Sequence, residues 1–353
     1  MYRFIDAEGR RLIRQKDVPA DVKRHIIHQA RYLAGLEAEL LNSREISESF
    51  HPQPGDVPVL EGIDLYGKTI GLADISQRAK TLPATGGDHL IWVAFKQRYN
   101  LDQRIKRAKE KLAEGELLQE QVIDNLFLNY HRAGILIADV TGHQQTDAHL
   151  NHILHQAFMV GADYEIDHKG EITTNLLEKI NSRFFRTSAL TVQPEGSNTI
   201  GKIKAITMIY GEIWEGGKFR YISCGHPYPV AFSHDKETLT EVVKETSISL
   251  GLQLSHDDID KSNIWSPLGL KPAYITNEMQ LEMPGDILLL YTDGFSEPDN
   301  TQPPFLGEPA RQALIKLKDR NAKDIHYHLI QELLAYTASP ADDITLIVIK
   351  RTK

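Results

Sequence analysis

The sequence predicts an α+β fold, and three observations carry that reading. Beyond a Pro-rich run at 51–58, strand-like apolar runs predominate. Two successive runs are joined by a glycine turn, and the helical patterns fall in groups between strands. One-for-one alternation would instead signal a parallel sheet with crossover helices.

Residues 19–46 read as a long helix: Pro19 suits a first helical position, and Ile26, Ala30, Leu33, Leu36 and Leu40 recur at three- and four-residue steps. Two readings stand for it, a helix packed on its own domain and a dimerising or signal-relaying helix. The run His51-Pro52-Gln53-Pro54-Gly55-Asp56-Val57-Pro58 breaks the pattern. It divides an N-terminal helical regulatory or linker segment, 1–55, from a main domain, 56–353. Strand-like runs follow at 64–72, 89–95, 134–140, 203–214, 218–223, 229–233, 287–292 and 344–350. Glu215-Gly216-Gly217 makes a hairpin of two of them, since glycine supplies the positive φ of a tight turn. Helical patterns lie at 101–130, 145–160, 173–184 and 309–337. In the first, Arg104, Lys106, Arg107, Lys109 and Lys111 crowd together, either as a solvated face or as a docking surface for an acidic partner.

Composition narrows the function. Of 353 residues, 41% are hydrophobic and 25% charged, the balance of an ordinary globular protein. A net charge of −8 offers no basic footprint for nucleic acid. A single cysteine, Cys224, rules out an internal disulfide framework and a cysteine-rich zinc site. The first residues carry no basic segment followed by an apolar run, and no stretch approaches the ~18 apolar residues of a membrane span. The expected location is cytoplasmic.

Four aspartates occupy similar settings. Asp139 ends the apolar run Ile135-Leu136-Ile137-Ala138 ahead of a glycine turn, and Asp293-Gly294 ends an even more hydrophobic run. Asp88 opens a strand after Gly86-Gly87, and Asp342-Asp343 precedes one. Continuous apolar strands belong in buried sheets, so these carboxylates sit at the rim of a core, where an unpaired one is costly to desolvate. Each could simply start a turn by bonding nearby amides. Taken together, without a His or Cys ligand set, they suit one cation site built of hard oxygen donors, for magnesium, manganese or calcium. Two such ions about 3.5–4 Å apart hydrolyse phosphate esters.

Gly86-Gly87-Asp88, Ala138-Asp139-Val140-Thr141-Gly142-His143, Cys224-Gly225-His226-Pro227, the run 284–294 ending in Tyr291-Thr292-Asp293-Gly294, and Asp342-Asp343-Ile344-Thr345 occur in the order of the SpoIIE-like phosphatases. Over roughly 60–350 the chain resembles this bacterial branch of the metal-dependent (type 2C, PPM) serine/threonine protein phosphatases. The resemblance implies an α-β-β-α sandwich of two mainly antiparallel sheets flanked by helices, with two Mn2+ or Mg2+ ions at one edge. By position, Asp139 would bridge the ions, the carbonyl of Val140 would join the first, and Asp293 and Asp342 would hold the second. Asp88 would contact a metal directly or through water. Asp343 is the less secure candidate, since neighbouring strand residues point to opposite faces. Water activated by the ions would attack a phosphoserine or phosphothreonine ester. His143 or His226 would protonate the leaving oxygen, although His226 equally suits a residue that orders its turn. The implied substrate is a phosphorylated STAS-type anti-sigma-factor antagonist in a partner-switching circuit, and the N-terminal helix is a candidate homodimer contact.

The chain departs from the family pattern in three places. Ile91 stands where a second Asp is usual, Gln144 replaces a glycine, and Asp147 interrupts a small-residue pair. About fifty residues separate Asp88 from Asp139, so a helical insertion at about 97–131 is expected close to the site. Rival chemistries fail on spacing. A cysteine phosphatase needs Arg where Val230 stands, and the Gly211–Lys218 stretch, followed by Phe219, misses the phosphate-loop spacing. His149, His152 and His155 line one helical face, but no further zinc ligand accompanies them. His234-Asp235 and His256-Asp257 lie in turn-like sequence. The alternative to an enzyme is a regulatory binding module that keeps the fold.

Overall fold

The computed structural model describes residues 5, 7–15, 17–50, 52–53, 55–71, 86–140, 145–187, 205–264, 266, 268–297, 304–337 and 342–353, the side chains at 7–10, 36–37, 39–48 and 145–148 excepted. Along them run β1 (Ile63–Ile70), β2 (Asp88–Val93), β3 (Arg132–Val140), β4 (Ile206–Trp214), β5 (Lys218–Cys224), β6 (Val230–Ser233), β7 (Thr238–Glu241), β8 (Leu254–Ser255), β9 (Leu270–Lys271), β10 (Asn277–Gln280), β11 (Ile287–Tyr291) and β12 (Ile344–Arg351). The order β1-β12-β11-β6-β7 makes one five-stranded sheet and β10-β5-β4-β3-β2 a second, while β8 and β9 form a small parallel pair. Every pairing in the two large sheets is antiparallel.

Side-chain alternation turns these sheets into four layers. On β11, Leu288 and Leu290 point between the sheets to meet Leu90, Trp92, Ile135, Ile137, Ile347 and Ile349. Ile287, Leu289 and Tyr291 point the other way, onto Leu314, Ile325, Leu329 and Leu333 of the helices Glu308–Leu317 and Ala322–Tyr336. On the far side, Leu136, Ala138, Met208 and Tyr210 pack on Phe158, Ala162 and Ile166 of the helix Gln145–Lys169 and on Leu177 and Ile180 of the helix Thr174–Thr187. The α-β-β-α sandwich is therefore as expected. Strands buried on both faces explain why their sequences read as unbroken apolar runs.

Several elements differ from expectation in detail. The 101–130 pattern is two helices, Leu101–Ala113 and Gln119–Leu128, separated by a turn at Gly115 (φ +100°). The 309–337 pattern is likewise two helices. The β4–β5 hairpin turns at Gly217 (φ +83°), whose N–H donates to the Trp214 carbonyl at 2.8 Å. The N-terminal helix runs Ala20–Ser49, preceded by a short helix, Ala7–Arg14, that the sequence reading missed. Ala30 is buried and Leu33 exposed, whereas the side chains of Leu36 and Leu40 lie outside the described residues. The helix meets the sandwich at its end, where the Phe50 ring lies 4.4 Å from that of His152 and 5.1 Å from that of His155. No described helix is long and apolar enough to cross a membrane.

Candidate active site

Antiparallel pairing sets Asp88, the first residue of β2, opposite Asp139 near the end of β3. From the other sheet, β11 ends just before Thr292-Asp293 and β12 begins just after Asp342-Asp343. Hydrogen bonds join these termini at one end of the sandwich. Thr292 Oγ1 and Thr345 Oγ1 each donate to Asp88 Oδ2 at 2.7 Å, and Gly87 N–H donates to Asp343 Oδ2 at 2.9 Å. The glycine loop is tied in turn: its Gly87 carbonyl accepts from Val140 N–H at 3.0 Å and from Asn151 Nδ2 at 2.8 Å.

Close approach explains the glycines. A Cβ on Gly86 would fall 2.4 Å from Asp343 Oδ2, and one on Gly294 only 2.0 Å from the Asp343 carbonyl oxygen. The same position is 3.4 Å from Asp342 Cβ, so Asp293-Gly294 and Asp342-Asp343 are in contact.

Burial divides the acids. Asp88 and Asp343 are each 3% exposed, Asp139 and Asp342 are half-buried, and Asp293 is exposed at the start of the short helix Asp293–Ser296. Burial pushes the Asp88 carboxyl well above the usual carboxylate range, and the charges of Asp139 and Asp343 push it the same way. The hydroxyls of Thr292 and Thr345 oppose both. Asp343 thus belongs to the gathered acids, with its carboxylate turned towards Gly86-Gly87, while Asp342 Oδ1 accepts from Asp343 N–H at 2.7 Å.

Among the described residues no three His, Cys, Asp or Glu side chains are already drawn in to the spacing of metal ligands. The donor chemistry nevertheless fits a hard divalent cation. Oxygen donors from both sheets meet at one rim, and the charges of Asp139 and Asp343 raise the cost of ionising Asp88, a repulsion that a cation offsets.

The candidate proton donors separate. His143, within 141–144, lies outside the described residues. His226 is 4% exposed beyond the end of β5, with Nδ1 2.9 Å from Thr207 Oγ1 on β4. Burial drives its pKa down to about 3, which the neighbouring Tyr291 backbone offsets only in part. Its imidazole is therefore neutral at neutral pH, wedged between β4 of one sheet and β11 of the other. Cys224 is buried, and burial pushes its thiol up to about 12, which suits a strand residue rather than a nucleophile. Of the helical histidines, His149 is exposed and His152 and His155 are half-buried: His155 Nδ1 lies 2.9 Å from His89 Nε2, with Phe50 against His152 and His155.

The residues that sequence reasoning passed over are Thr292, Thr345 and Asn151. Both threonines stand inside motif blocks that were noticed for their aspartates. Their hydroxyls matter because the strands carrying them lie across from β2, which spacing along the chain does not reveal.

The family model for Stage II sporulation protein E (SpoIIE) matches residues 129–352, a stretch containing Asp139, His226, Asp293, Asp342 and Asp343 but not Asp88. No curated protein matches the sequence. Among solved structures, the RsbU and RsbW domains of a Mycobacterium tuberculosis protein are similar at a TM-score of 0.54 and 19% identity, over 84% of this chain and 62% of that one. The SiaA-PP2C domain of Pseudomonas aeruginosa is similar at 0.52 and 14%, over 91% of this chain and 99% of that one. The PP2C phosphatase domain of Bacillus subtilis SpoIIE, with a fragment of its regulatory domain, gives 0.49 and 12%, over 82% and 64%. This chain thus spans less than two thirds of the M. tuberculosis and B. subtilis chains. At such identities the likeness speaks for the fold. Joined to a family match that runs from just before β3 to the end of β12, it means that the chain belongs to the SpoIIE family, on the PP2C phosphatase fold.

Proposed function

We propose that this protein is a divalent-metal-dependent serine/threonine phosphoprotein phosphatase. The observation that carries the reading is the meeting of Asp88 and Asp139 from one sheet with Asp343 from the other at a single rim, beside Asp342 and Asp293. In this reading Asp139, Asp88, Asp293, Asp342 and the Val140 carbonyl hold two Mn2+ or Mg2+ ions, and Asp343 orders the Gly86-Gly87 loop against them. Such ions supply Lewis acidity, lowering the pKa of water and offsetting charge on a phosphoryl group. The chain's own residues shape the place where this happens. Asp88 is held by two hydroxyls, no side chain fits at Gly86, and His226 braces the two sheets as a neutral imidazole. His143 is left as the candidate donor to the leaving serine or threonine oxygen.

Family membership supports a regulatory phosphoprotein of the STAS type as substrate, in a bacterial partner-switching circuit. Residues 1–55 then form an appended regulatory segment, and 97–131 an insertion beside the phosphatase framework.

The test is phosphate release from a phosphoserine peptide with Mn2+, with direct Mn2+ binding measured in parallel. Wild type should bind and turn over, and Asp139→Asn should lower turnover by at least about 100-fold, the scale of losing charge stabilisation in a transition state. Wild-type protein that neither binds Mn2+ nor exceeds the variant's rate would make the chain a binding module.

A further inference from the structure

Asp88 is a carboxylate of one sheet held by hydroxyls of the other. Both bonds, from Thr292 after β11 and from Thr345 on β12, fall on the same oxygen, Oδ2, at 2.7 Å. Neither hydroxyl is at liberty to turn. Thr292 Oγ1 also accepts from Thr345 N–H at 2.9 Å, and Thr345 Oγ1 lies 2.9 Å from Thr69 Oγ1, its cross-strand neighbour on β1. A threonine hydroxyl has one hydrogen to give. With that hydrogen spent on Asp88, Thr345 accepts from Thr69 and Thr292 accepts from the backbone, so the direction of every bond in the chain is fixed. Thr292 and Thr345 are both 0% exposed, so water does not compete for these hydroxyls.

We infer that Thr292 and Thr345 are positioning residues of the candidate metal centre: they occupy Oδ2 of Asp88 and leave Oδ1 as its one metal-binding oxygen. The inference rests on the reading of this rim as a metal centre and deepens it. A carboxylate oxygen that accepts two hydroxyl bonds has both lone pairs engaged, so Asp88 is a one-oxygen ligand aimed from the opposite sheet. The aim is inherited from the ends of β11 and β12, which also carry Asp293, Asp342 and Asp343. Assembly of the donor set and docking of the two sheets are then one event. Partners of this kind, one step behind a ligand, commonly set metal affinity.

The experiment is a Mn2+ titration of the full chain, followed by the electron paramagnetic resonance signal of free Mn2+, with the melting temperature of the metal-free protein recorded for each variant. Thr345→Val and Thr292→Val keep the shape and remove the hydroxyl. Each should weaken Mn2+ binding by about 10-fold or more, while Thr345→Ser and Thr292→Ser, which keep the hydroxyl, should bind close to wild type. Unchanged affinity in both valine variants overturns the inference. So does an equal loss in the serine and valine variants, which would trace the effect to shape. Should Thr345→Val fail to fold, the Thr292 pair carries the same comparison. Asp139→Asn separates the two levels. If wild type binds Mn2+ and Asp139→Asn does not, the metal centre stands and the valine variants judge the clasp alone. If wild type binds none, both readings fall.

Discussion

At the scale of single residues, the site is governed as much by what is absent as by what is charged. Gly294 sits where any Cβ would lie 2.0 Å from the carbonyl oxygen of Asp343, a backbone atom that cannot rotate aside. Gly294→Ala should therefore displace Asp342-Asp343 from the rim, costing about 1–3 kcal/mol of stability from overpacking and weakening Mn2+ binding. Gly216→Ala is the control, since nothing lies within 4 Å of its Cβ and its melting temperature should stay at wild type. Thermal melts and the Mn2+ titration check both; an unperturbed Gly294→Ala would remove the crowding argument. Much of the site was legible at this scale. Asp88, Asp139, Asp293 and Asp342 stood out because each stands at one end of an apolar run. The pairing of Asp343 with Gly87 was not legible, because strand alternation argues that one of two adjacent aspartates faces away, and that rule weakens where both residues precede the strand. Asp342-Asp343 lie before β12 begins at Ile344, where the backbone is free to turn both carboxylates towards the rim.

At the scale of elements, the 101–130 region reads in the sequence as a helical insertion with a crowd of basic residues. Its two helices are in fact part of a core. Leu101, Ile105, Ala108, Val122, Ile123 and Leu126 join the same buried cluster as Phe158, Ala162 and Ile166. The basic residues are the outward side of an amphipathic helix: Arg104 donates to Asp167 at 2.7 Å, Lys106 lies 4.0 Å from Glu110, and Lys109 lies over the Phe127 ring. Periodicity carried the sign of this arrangement, but its charge drew attention to the wrong face. Deleting 101–130 would strip apolar cover from the helix Gln145–Lys169, so a regulatory role is better probed by surface substitution. Leu126→Ala should cost about 2–5 kcal/mol, whereas Lys106→Ala, at a side chain that is 78% exposed, should stay within about 0.5 kcal/mol. Urea denaturation of the two variants separates the cases. Equal, small effects would mean that the helices merely rest on the sandwich.

At the scale of the whole molecule, two neutral histidines are built into the layers, and each makes the fold less stable in acid. His226 lies between the sheets, against Thr207 of β4 and Tyr291 of β11. His326, on the helix Ala322–Tyr336, is 4% exposed against the Tyr66 ring of β1 at 5.0 Å, and the charged group facing it is Lys68 of the same strand. Burial lowers the His326 pKa from 6.5 to about 4; the backbones of Lys68 and Leu346 offset this in part, while the Lys68 charge adds to it. In the unfolded chain the imidazole takes up its proton near pH 6.5, while in the folded chain it does not until about 4. The unfolded state therefore binds more protons throughout that window, and stability falls as pH falls through it. The contribution is fully present above pH 6.5 and drains at up to about 1.4 kcal/mol per pH unit for each such imidazole. His226, lowered to about 3, continues the loss further into acid. Urea denaturation of metal-free protein between pH 7 and pH 4.5 measures the slope, and His326→Gln isolates one share of it. The variant should lose stability at pH 7 through imperfect packing yet show a shallower decline on acidification. A decline as steep as that of the wild type would mean that His326 is already protonated in the fold, and that the helical layer holds its charge without cost.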